Sequence, residues 1–386
     1  MLPINRARPV RETKWAADVA ERPRRERSPW PFHQAPHPGA PDDLGNRAHT
    51  RGSGVNMIHT VPTFDHWASP SDRRRASHHP PQSRTWVRED GTAPPTTAGI
   101  ANRIYGGFYN RTVDRKLGAD IEAAWPPMRD HLLAGRAVQG RIVRHLLGAG
   151  VRQFLDIGAG IAQHGATHEV IAAIMSPDRE MDLPHRERAV RVVYVDIDPI
   201  TTFVNAALLD AFPWAAAVCA DLQHPATFLN NDIVNDLLDF AQPVGVLLLG
   251  VLHHLPHRPG AGPALRRLAE ALSYGSYLSI SHLTTDLKPA GAAAQRRAVG
   301  LLAATPTPLY LRHPAYVAAL LHDRHLPALD LLEPGFVPAD QWRPDPGDQP
   351  PFVAPHLLTA VAKLTPPASI RSVVATRPAA NVEENI

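Results

Sequence analysis

Three features are scarce in this sequence: cysteine, long apolar runs and an excess of charge of either sign. Cys219 is the single cysteine of the 386 residues, so no intramolecular disulfide can form and nothing requires an oxidising compartment. The longest strongly apolar run, residues 243–252, is half the roughly 20 residues that cross a bilayer. These absences predict a cytoplasmic protein with no membrane partner and no targeting signal.

The charge balance argues against a nucleic-acid partner. The sequence has 40 Lys and Arg residues against 37 Asp and Glu residues, which leaves a formal net charge of +3. Binding along a nucleic-acid backbone relies on a clear basic excess, which this chain lacks as a whole. We therefore expect the partner to be a small molecule.

The distribution of proline and of apolar residues predicts one folded domain between two tails. Residues 1–97 combine Pro, Arg, His, Ser and Gly with few periodic apolar positions, a composition typical of a disordered tail. Residues 98–364 are predicted to form the domain, and residues 365–386 a disordered C-terminal tail. Met57 supports a further hypothesis, that translation starts there and that residues 1–56 come from a mis-called start codon.

Apolar strands alternate with helical segments from residue 129 onward. Apolar residues at helical spacing predict four helices: residues 129–147, 167–174 (capped by Thr167), 199–209 and 264–272. Apolar and β-branched runs predict five strands between and after them: residues 153–157, 191–195, 216–220, 244–249 and 276–281. Two later segments are predicted to close the sheet: residues 329–332 and 357–364. The pattern predicts an α/β fold with an open, doubly wound, mostly parallel sheet, whose ligand crevice lies at the carboxyl ends of the strands.

A glycine turn and an acid follow the first two predicted strands. Gly158 and Gly160 come directly after the strand that contains Asp156, and glycine lets the backbone approach a ligand closely. Asp196 ends the next strand and precedes Ile197, where a carboxylate can accept hydrogen bonds from both hydroxyls of a ribose. Together these residues predict a nucleoside pocket.

The turn fits S-adenosylmethionine better than a dinucleotide. The third glycine of a dinucleotide fingerprint is replaced by Gln163, and Asp156 would repel a pyrophosphate bound at the turn. S-adenosylmethionine has no phosphate, and its ammonium and sulfonium groups are cationic, so an acid beside the turn is favourable. Methyl transfer from a sulfonium needs no metal, and we predict none.

The resemblance to a known family rests on several collinear segments. Residues 102–364 resemble a bacterial family of S-adenosylmethionine-dependent methyltransferases, of class I with a Rossmann-like fold, whose members mostly lack an assigned substrate. The segments that carry the likeness are Arg103–Gly107 with Asn110, Asp114 and Arg115; Gln153–Gly160 with His168–Val170; Val193–Pro199; Ala220–Leu222; Ala271, Leu272 and Gly275–His282; and Glu333–Gly335 with Trp342–Pro344.

The resemblance implies how the donor is held. The turn at Gly158 and Gly160 would bind the methionyl part, Asp196 the ribose, and Asp221 with Leu222 the adenine. A cap at about residues 100–128 would fold over the donor. The cofactor-binding residues expected in this way are Arg103, Tyr105, Gly107, Asn110, Asp156, Gly158, Gly160, Asp196, Ile197, Asp221 and Leu222.

Histidines at strand ends are candidates for a general base. If the acceptor is a hydroxyl or an amine, His253, His254 or His282 could remove its proton. Two other functions remain open from the sequence. The chain could bind S-adenosylmethionine without catalysis and act as a regulatory protein, or it could be an NAD-dependent oxidoreductase.

Overall fold

The computed structural model describes residues 76–78, 86, 91–175, 190–258, 260–286, 288–323, 325–345 and 352–367. Residues 1–56, with the start-codon hypothesis, lie outside this set, as do most of both predicted tails. No helix of the described residues combines the length and the apolar character that crossing a membrane requires.

Helices occur throughout the described part of the chain. The α-helices are α1 Thr97–Ile104, α2 Thr112–Ala124, α3 Pro127–Gly148, α4 Thr167–Ile174, α5 Pro199–Leu208, α6 Ala226–Leu229, α7 Asp232–Leu237, α8 Gly262–Ala271, α9 Pro289–Leu301 and α10 Pro314–Ala319. Short 3-10 turns span Leu252–His254, Leu302–Ala304, Leu320–His322 and Ala339–Gln341. Asp198 caps α5 by accepting a hydrogen bond from the Ile200 N–H, and Pro199 occupies the first turn, where no donor is needed.

The strands of the described residues form one sheet. They are β1 Ala76–His78, β2 Gln153–Ile157, β3 Arg191–Asp196, β4 Ala215–Cys219, β5 Val244–Leu249, β6 Tyr277–Leu283, β7 Leu329–Leu331, β8 Val337–Pro338 and β9 Leu357–Leu364. The sheet order is β1-β4-β3-β2-β5-β6-β9-β7, with β8 also paired to β9. Pairs from β1 to β6 are parallel and those made by β9 are antiparallel. This mostly parallel, doubly wound sheet confirms the predicted class I methyltransferase fold.

Helices cover both faces of the sheet. Leu155 and Val193 belong to one hydrophobic cluster and Phe154 and Val192 to another, because successive side chains of a strand point to opposite faces. The strands are buried on both faces, which explains why β4 and β5 are continuous apolar runs rather than alternating ones.

The structure extends β6 beyond its predicted end. The sequence predicted a strand at residues 276–281, but β6 pairs with β9 over its whole length, from Tyr277 opposite Lys363 to Leu283 opposite Leu357. His282 therefore lies inside a central strand rather than past its end, and its side chain is fully buried. The partner strand that causes this extension is about 75 residues away in sequence.

The described residues upstream of position 98 contact both the sheet and the cap. Upstream, β1 pairs with β4, Trp86 is buried, and the Thr96 hydroxyl caps α1. The α1 and α2 helices pack so closely at Gly99 that a Cβ on this residue would lie 2.6 Å from the Asp114 carboxyl carbon. Asp114 is buried and accepts hydrogen bonds from the backbone N–H groups of Thr96 and Arg111. The domain boundary at residue 98 stays a prediction.

Candidate active site

The glycine turn (residues 158–160) brings backbone to the end of β2. Gly158 and Gly160 have φ angles of +69° and +63°, in the left-handed region that favours glycine. A Cβ on Gly158 would also lie 2.3 Å from the Val251 side chain, which follows β5. The positive φ and the contact with Val251 both require glycine at position 158. Without a side chain, the turn can lie directly against the residue that follows β5.

Asp196 ties the end of β3 to the glycine turn. Its Oδ2 accepts a hydrogen bond from the Gly160 N–H at 2.9 Å, and its Oδ1 accepts one from the Asp198 N–H at 3.0 Å. Burial, with the nearby Asp198 carboxylate, raises the pKa of Asp196 to about 7. Each carboxylate oxygen retains a second lone pair, so Asp196 can accept further hydrogen bonds from a ligand.

Asp156 lies at the centre of a buried polar network. Its Oδ2 accepts hydrogen bonds from Gln139 Nε2 at 3.0 Å and from the Thr167 hydroxyl at 2.7 Å. The prediction that Thr167 caps α4 was wrong, because its hydroxyl is engaged with Asp156. The Glu169 carboxylate instead accepts the N–H groups of Gly165 and Ala166 at the start of this helix. Burial raises the pKa of Asp156 to about 6.

Arg136 brings a buried cation to the same network. Its Nη1 donates to Gln139 Oε1 at 2.8 Å, and its guanidinium lies 4.7 Å from the centre of the Tyr105 ring. Its Nε is buried and has no hydrogen-bond partner in the described part of the chain. Among the described residues, no carboxylate oxygen lies within ion-pair distance of this guanidinium. A buried cation in this state has unused capacity for an anionic ligand group.

A cavity opens beside these residues. Its empty volume is about 1440 Å³, the open solvent at its mouth included. Of the predicted cofactor-binding residues, six line it: Tyr105, Asp156, Gly158, Gly160, Asp196 and Ile197. The structure thus brings together the predicted residues at the carboxyl ends of β2 and β3 with one predicted cap residue, Tyr105.

The other predicted cofactor residues lie outside the lining of this cavity. Arg103 forms an ion pair with Glu122 of α2, and Asn110 donates hydrogen bonds to Asn102 Oδ1 and to the Gly107 carbonyl. These contacts hold the cap together. Roles in donor binding for Arg103, Gly107 and Asn110 stay predictions.

Asp221 and Leu222 follow β4 and also lie outside the cavity lining. Leu222 is part of the hydrophobic core, and Asp221 accepts a hydrogen bond from the Gln223 N–H at 2.9 Å. The adenine assignment of this pair therefore stays a prediction.

His253 and His254 both line the cavity, but their hydrogen bonds favour different tautomers. The Leu283 N–H donates to His253 Nδ1 at 3.1 Å, so the neutral His253 ring carries its proton on Nε2. His254 Nδ1 lies 3.1 Å from the Pro308 carbonyl, which can only accept, so this nitrogen carries the proton. Burial, with neighbouring His254, His282 and Arg312, lowers the pKa of His253 well below its usual value.

His282 is bonded on both ring nitrogens and does not line the cavity. Its Nδ1 donates to the Leu283 carbonyl at 2.8 Å, and its Nε2 accepts from Arg312 Nη1 at 2.9 Å. Burial lowers the pKa of His282 to about 3. Arg312 also donates to the carbonyls of Leu252, Leu255 and Pro256, so this pair supports the turn that carries the other two histidines.

Sequence reasoning missed Arg136 and Gln139, although a signal was present. Both fall on the apolar face of α3. Arg136 lies four residues after Leu132, and Gln139 lies four residues before Val143. Polar residues on such a face are buried with the apolar ones and need partners. No group of three or more His, Cys, Asp or Glu side chains among the described residues is arranged to hold a metal ion.

Comparison with known proteins identifies the family. Residues 85–365 match the family described as S-adenosyl methyltransferase. The chain belongs to this family. A solved Thermobifida fusca YX protein, provisionally named a methyltransferase, is 30% identical with a TM-score of 0.60, and the match covers 70% of this chain and 96% of that one. No curated protein sequence matches the chain.

A second solved relative agrees. A DUF574 family protein from Streptomyces avermitilis MA-4680 is 31% identical with a TM-score of 0.59, covering 70% of this chain and 98% of that one. The chain is therefore a methyltransferase that depends on S-adenosylmethionine, and the oxidoreductase alternative loses its support. The family model begins at residue 85, so it includes the buried Trp86 upstream of the predicted boundary.

Proposed function

We propose that this methyltransferase holds S-adenosylmethionine at the glycine turn and transfers its methyl group to a small-molecule acceptor in the adjoining cavity. The observation that carries the proposal is that Asp196 and Arg136 line one cavity beside Gly158, the first as a hydrogen-bond acceptor and the second as a buried cation with no carboxylate at ion-pair distance among the described residues. A recessed cavity of this kind, lined mainly by apolar residues, favours a small acceptor over a macromolecule.

The residues present suit the chemical groups of this donor. Asp196 would accept the ribose hydroxyls, and Arg136 would hold the carboxylate of the methionyl end, since its Nε lacks a partner. Asp156 would place negative charge near the cationic groups of the donor. A side chain at position 158 would clash with Val251, so only glycine leaves room there for both Val251 and a ligand.

The donor supplies an already activated methyl group, so the protein mainly has to align the acceptor and exclude water. His254 is the best-suited base, because a proton on its Nδ1 leaves Nε2 in the unprotonated form that a base needs. His253 has the opposite tautomer and would donate a hydrogen bond to the acceptor. The cap residues Tyr105 and Asn102 line the cavity and would shield it from solvent.

Calorimetric titration of the full chain tests the donor site. S-adenosylhomocysteine should bind with a one-to-one stoichiometry, and NADH should not. Preferential binding of NADH would overturn the proposal. Release of S-adenosylhomocysteine in the presence of acceptor separates an enzyme from a non-catalytic binding protein. A cytoplasmic location belongs to the same proposal, because the single cysteine needs no oxidising compartment.

A further inference from the structure

The cavity has an apolar wall opposite its polar residues. Seven of its lining residues belong to one hydrophobic cluster built from α1, α2, α3, the end of β6 and the segment after α9: Ile100, Ile121, Met128, Leu132, Leu283, Leu302 and Leu309. The donor-side residues, in contrast, are joined to one another by hydrogen bonds through Asp156, Gln139 and Arg136. The two sides therefore suit different ligands.

Charge is confined to the donor side. The charged side chains among the described lining residues are Arg136, Asp156, Asp196 and Asp198, all at or next to the ends of β2 and β3. His131 also lines the cavity, but its Nδ1 is bonded to the Pro127 carbonyl and its Nε2 accepts the His356 N–H. Burial lowers the pKa of His131 to about 4, so this residue is neutral near pH 7.

Trp86 contributes a hydrogen-bond donor that the protein does not use. Its side chain lines the cavity and is 9% exposed, and its indole Nε1 has no hydrogen-bond partner among the residues that the structure describes. Leaving a buried N–H unpaired is unfavourable, so a ligand oxygen at this point would be favoured. The hydroxyls of Thr97 and Thr307, in contrast, lie 2.9 Å apart and bond to each other.

We propose that the methyl acceptor is an uncharged, mainly apolar small molecule whose carbonyl or ether oxygen receives the indole N–H of Trp86. This inference rests on the proposed function, since it assigns the apolar wall to the acceptor. A charged acceptor would lose its hydration against this wall without meeting an opposite charge, which is strongly unfavourable. An apolar body gains free energy from the same burial.

Matched ester and acid probes test the charge requirement. Binding to the full chain, saturated with S-adenosylhomocysteine, is measured by equilibrium dialysis with pairs of hydroxy-aromatic compounds such as methyl 6-hydroxy-2-naphthoate and 6-hydroxy-2-naphthoate. We expect esters of the panel to bind at least about tenfold more tightly than their acids, the ratio that a modest desolvation difference produces. Equal binding, tighter binding of the acids or binding of no ester would overturn the inference.

Two variants place the probe within the cavity. Leu309 is half-buried in the cavity wall, so Leu309→Lys should introduce a cation and improve acid binding, whereas the matched control Leu309→Met should not. Trp86→Phe should weaken the ester about fivefold, because one hydrogen bond is lost, and should leave 2-naphthol, which has no carbonyl, unchanged. Unaltered ester binding in Trp86→Phe would remove Trp86 from the proposal.

The donor titration separates the two levels of inference. If wild-type protein does not bind S-adenosylhomocysteine, the proposed function fails first. If it binds S-adenosylhomocysteine and the acids outcompete the esters, the methyltransferase site stands and only the acceptor class is wrong.

Discussion

Two turns meet at the cavity, and they differ in what fixes their geometry. The glycine turn after β2 is held by backbone conformation and by the Asp196 carboxylate, which accepts the Gly160 N–H. The turn after β5, residues 251–255, is held by Arg312. This side chain donates hydrogen bonds to the carbonyl oxygens of Leu252, Leu255 and the adjacent Pro256. They touch at Gly158 and Val251.

The difference shows which functional residues can be predicted from sequence alone. Gly158 and Gly160 have a role that follows from their own φ angles, so the local pattern was sufficient. His253, His254 and His282 looked equivalent by position, yet each acquires its tautomer and burial from a distant partner. Roles that depend on distant hydrogen bonds are not visible in a strand-end pattern.

The largest expected effect comes from filling the contact between the two turns. Gly158→Ala should lower the free energy of unfolding by about 4 kcal/mol, because the left-handed φ and the clash with Val251 act together. Chemical denaturation measures this loss. The control Gly148→Ala, at the end of α3 with nothing within 4 Å of its Cβ, should stabilise by up to about 1 kcal/mol. Equal behaviour of the two variants would contradict the assigned geometry.

A second pair of variants tests the histidines of the β5 and β6 ends. His282→Ala should destabilise by about 3 kcal/mol, because it opens a buried hole and removes one of the two hydrogen bonds that Arg312 Nη1 makes. His254→Ala should cost less, about 1 kcal/mol, since this half-buried side chain loses its bond to the Pro308 carbonyl without opening a fully buried hole. Denaturation curves compare them, and the reverse ranking would mean that their structural roles are exchanged.

The third prediction concerns Asp196. Asp196→Asn should weaken S-adenosylhomocysteine binding about thirtyfold, because hydrogen bonds to a charged acceptor are replaced by weaker ones. The fold should persist, since the amide oxygen can still accept the Gly160 N–H. Calorimetry provides the affinity, and the exposed Asp236→Asn serves as the matched control. Wild-type affinity in Asp196→Asn would exclude the ribose assignment.

The fourth prediction is a pH dependence with two opposite slopes. The pKa of Asp196 is raised to about 7, so the folded, ligand-free protein takes up a proton as pH falls. Its stability should therefore rise as pH falls from about 8 toward 4 through this group, because the folded pKa exceeds the unfolded one.

Donor affinity should change in the other direction. A protonated Asp196 accepts ribose hydroxyls less well, so affinity for S-adenosylhomocysteine should fall by up to about tenfold per pH unit below pH 7. In Asp196→Asn the affinity should stay flat until Asp156, with a pKa of about 6, begins to protonate. Parallel slopes in the two proteins would assign the titration to another group.

The sequence was informative where structure depends on neighbours along the chain. The bounds of β2, β5 and β9 were confirmed, because apolar runs and flanking turns determine them locally. The predicted end of β6 was wrong, because pairing with β9 extends the strand. The positions of Arg136 and Trp86 in the cavity lining depend on tertiary packing and could not be predicted locally. A buried position for Arg136 could have been inferred from the apolar face of α3, but not its position beside Asp156.

The short strand β1 has a consequence for how the domain is best produced. Its three residues pair with Ala217, Val218 and Cys219 along the outer edge of β4, a wholly apolar strand. A shortened chain beginning at residue 98 would leave that edge's amides and carbonyls open to a strand from another molecule. Such a chain should form concentration-dependent aggregates in light scattering, whereas one that begins at Met57 should stay dispersed.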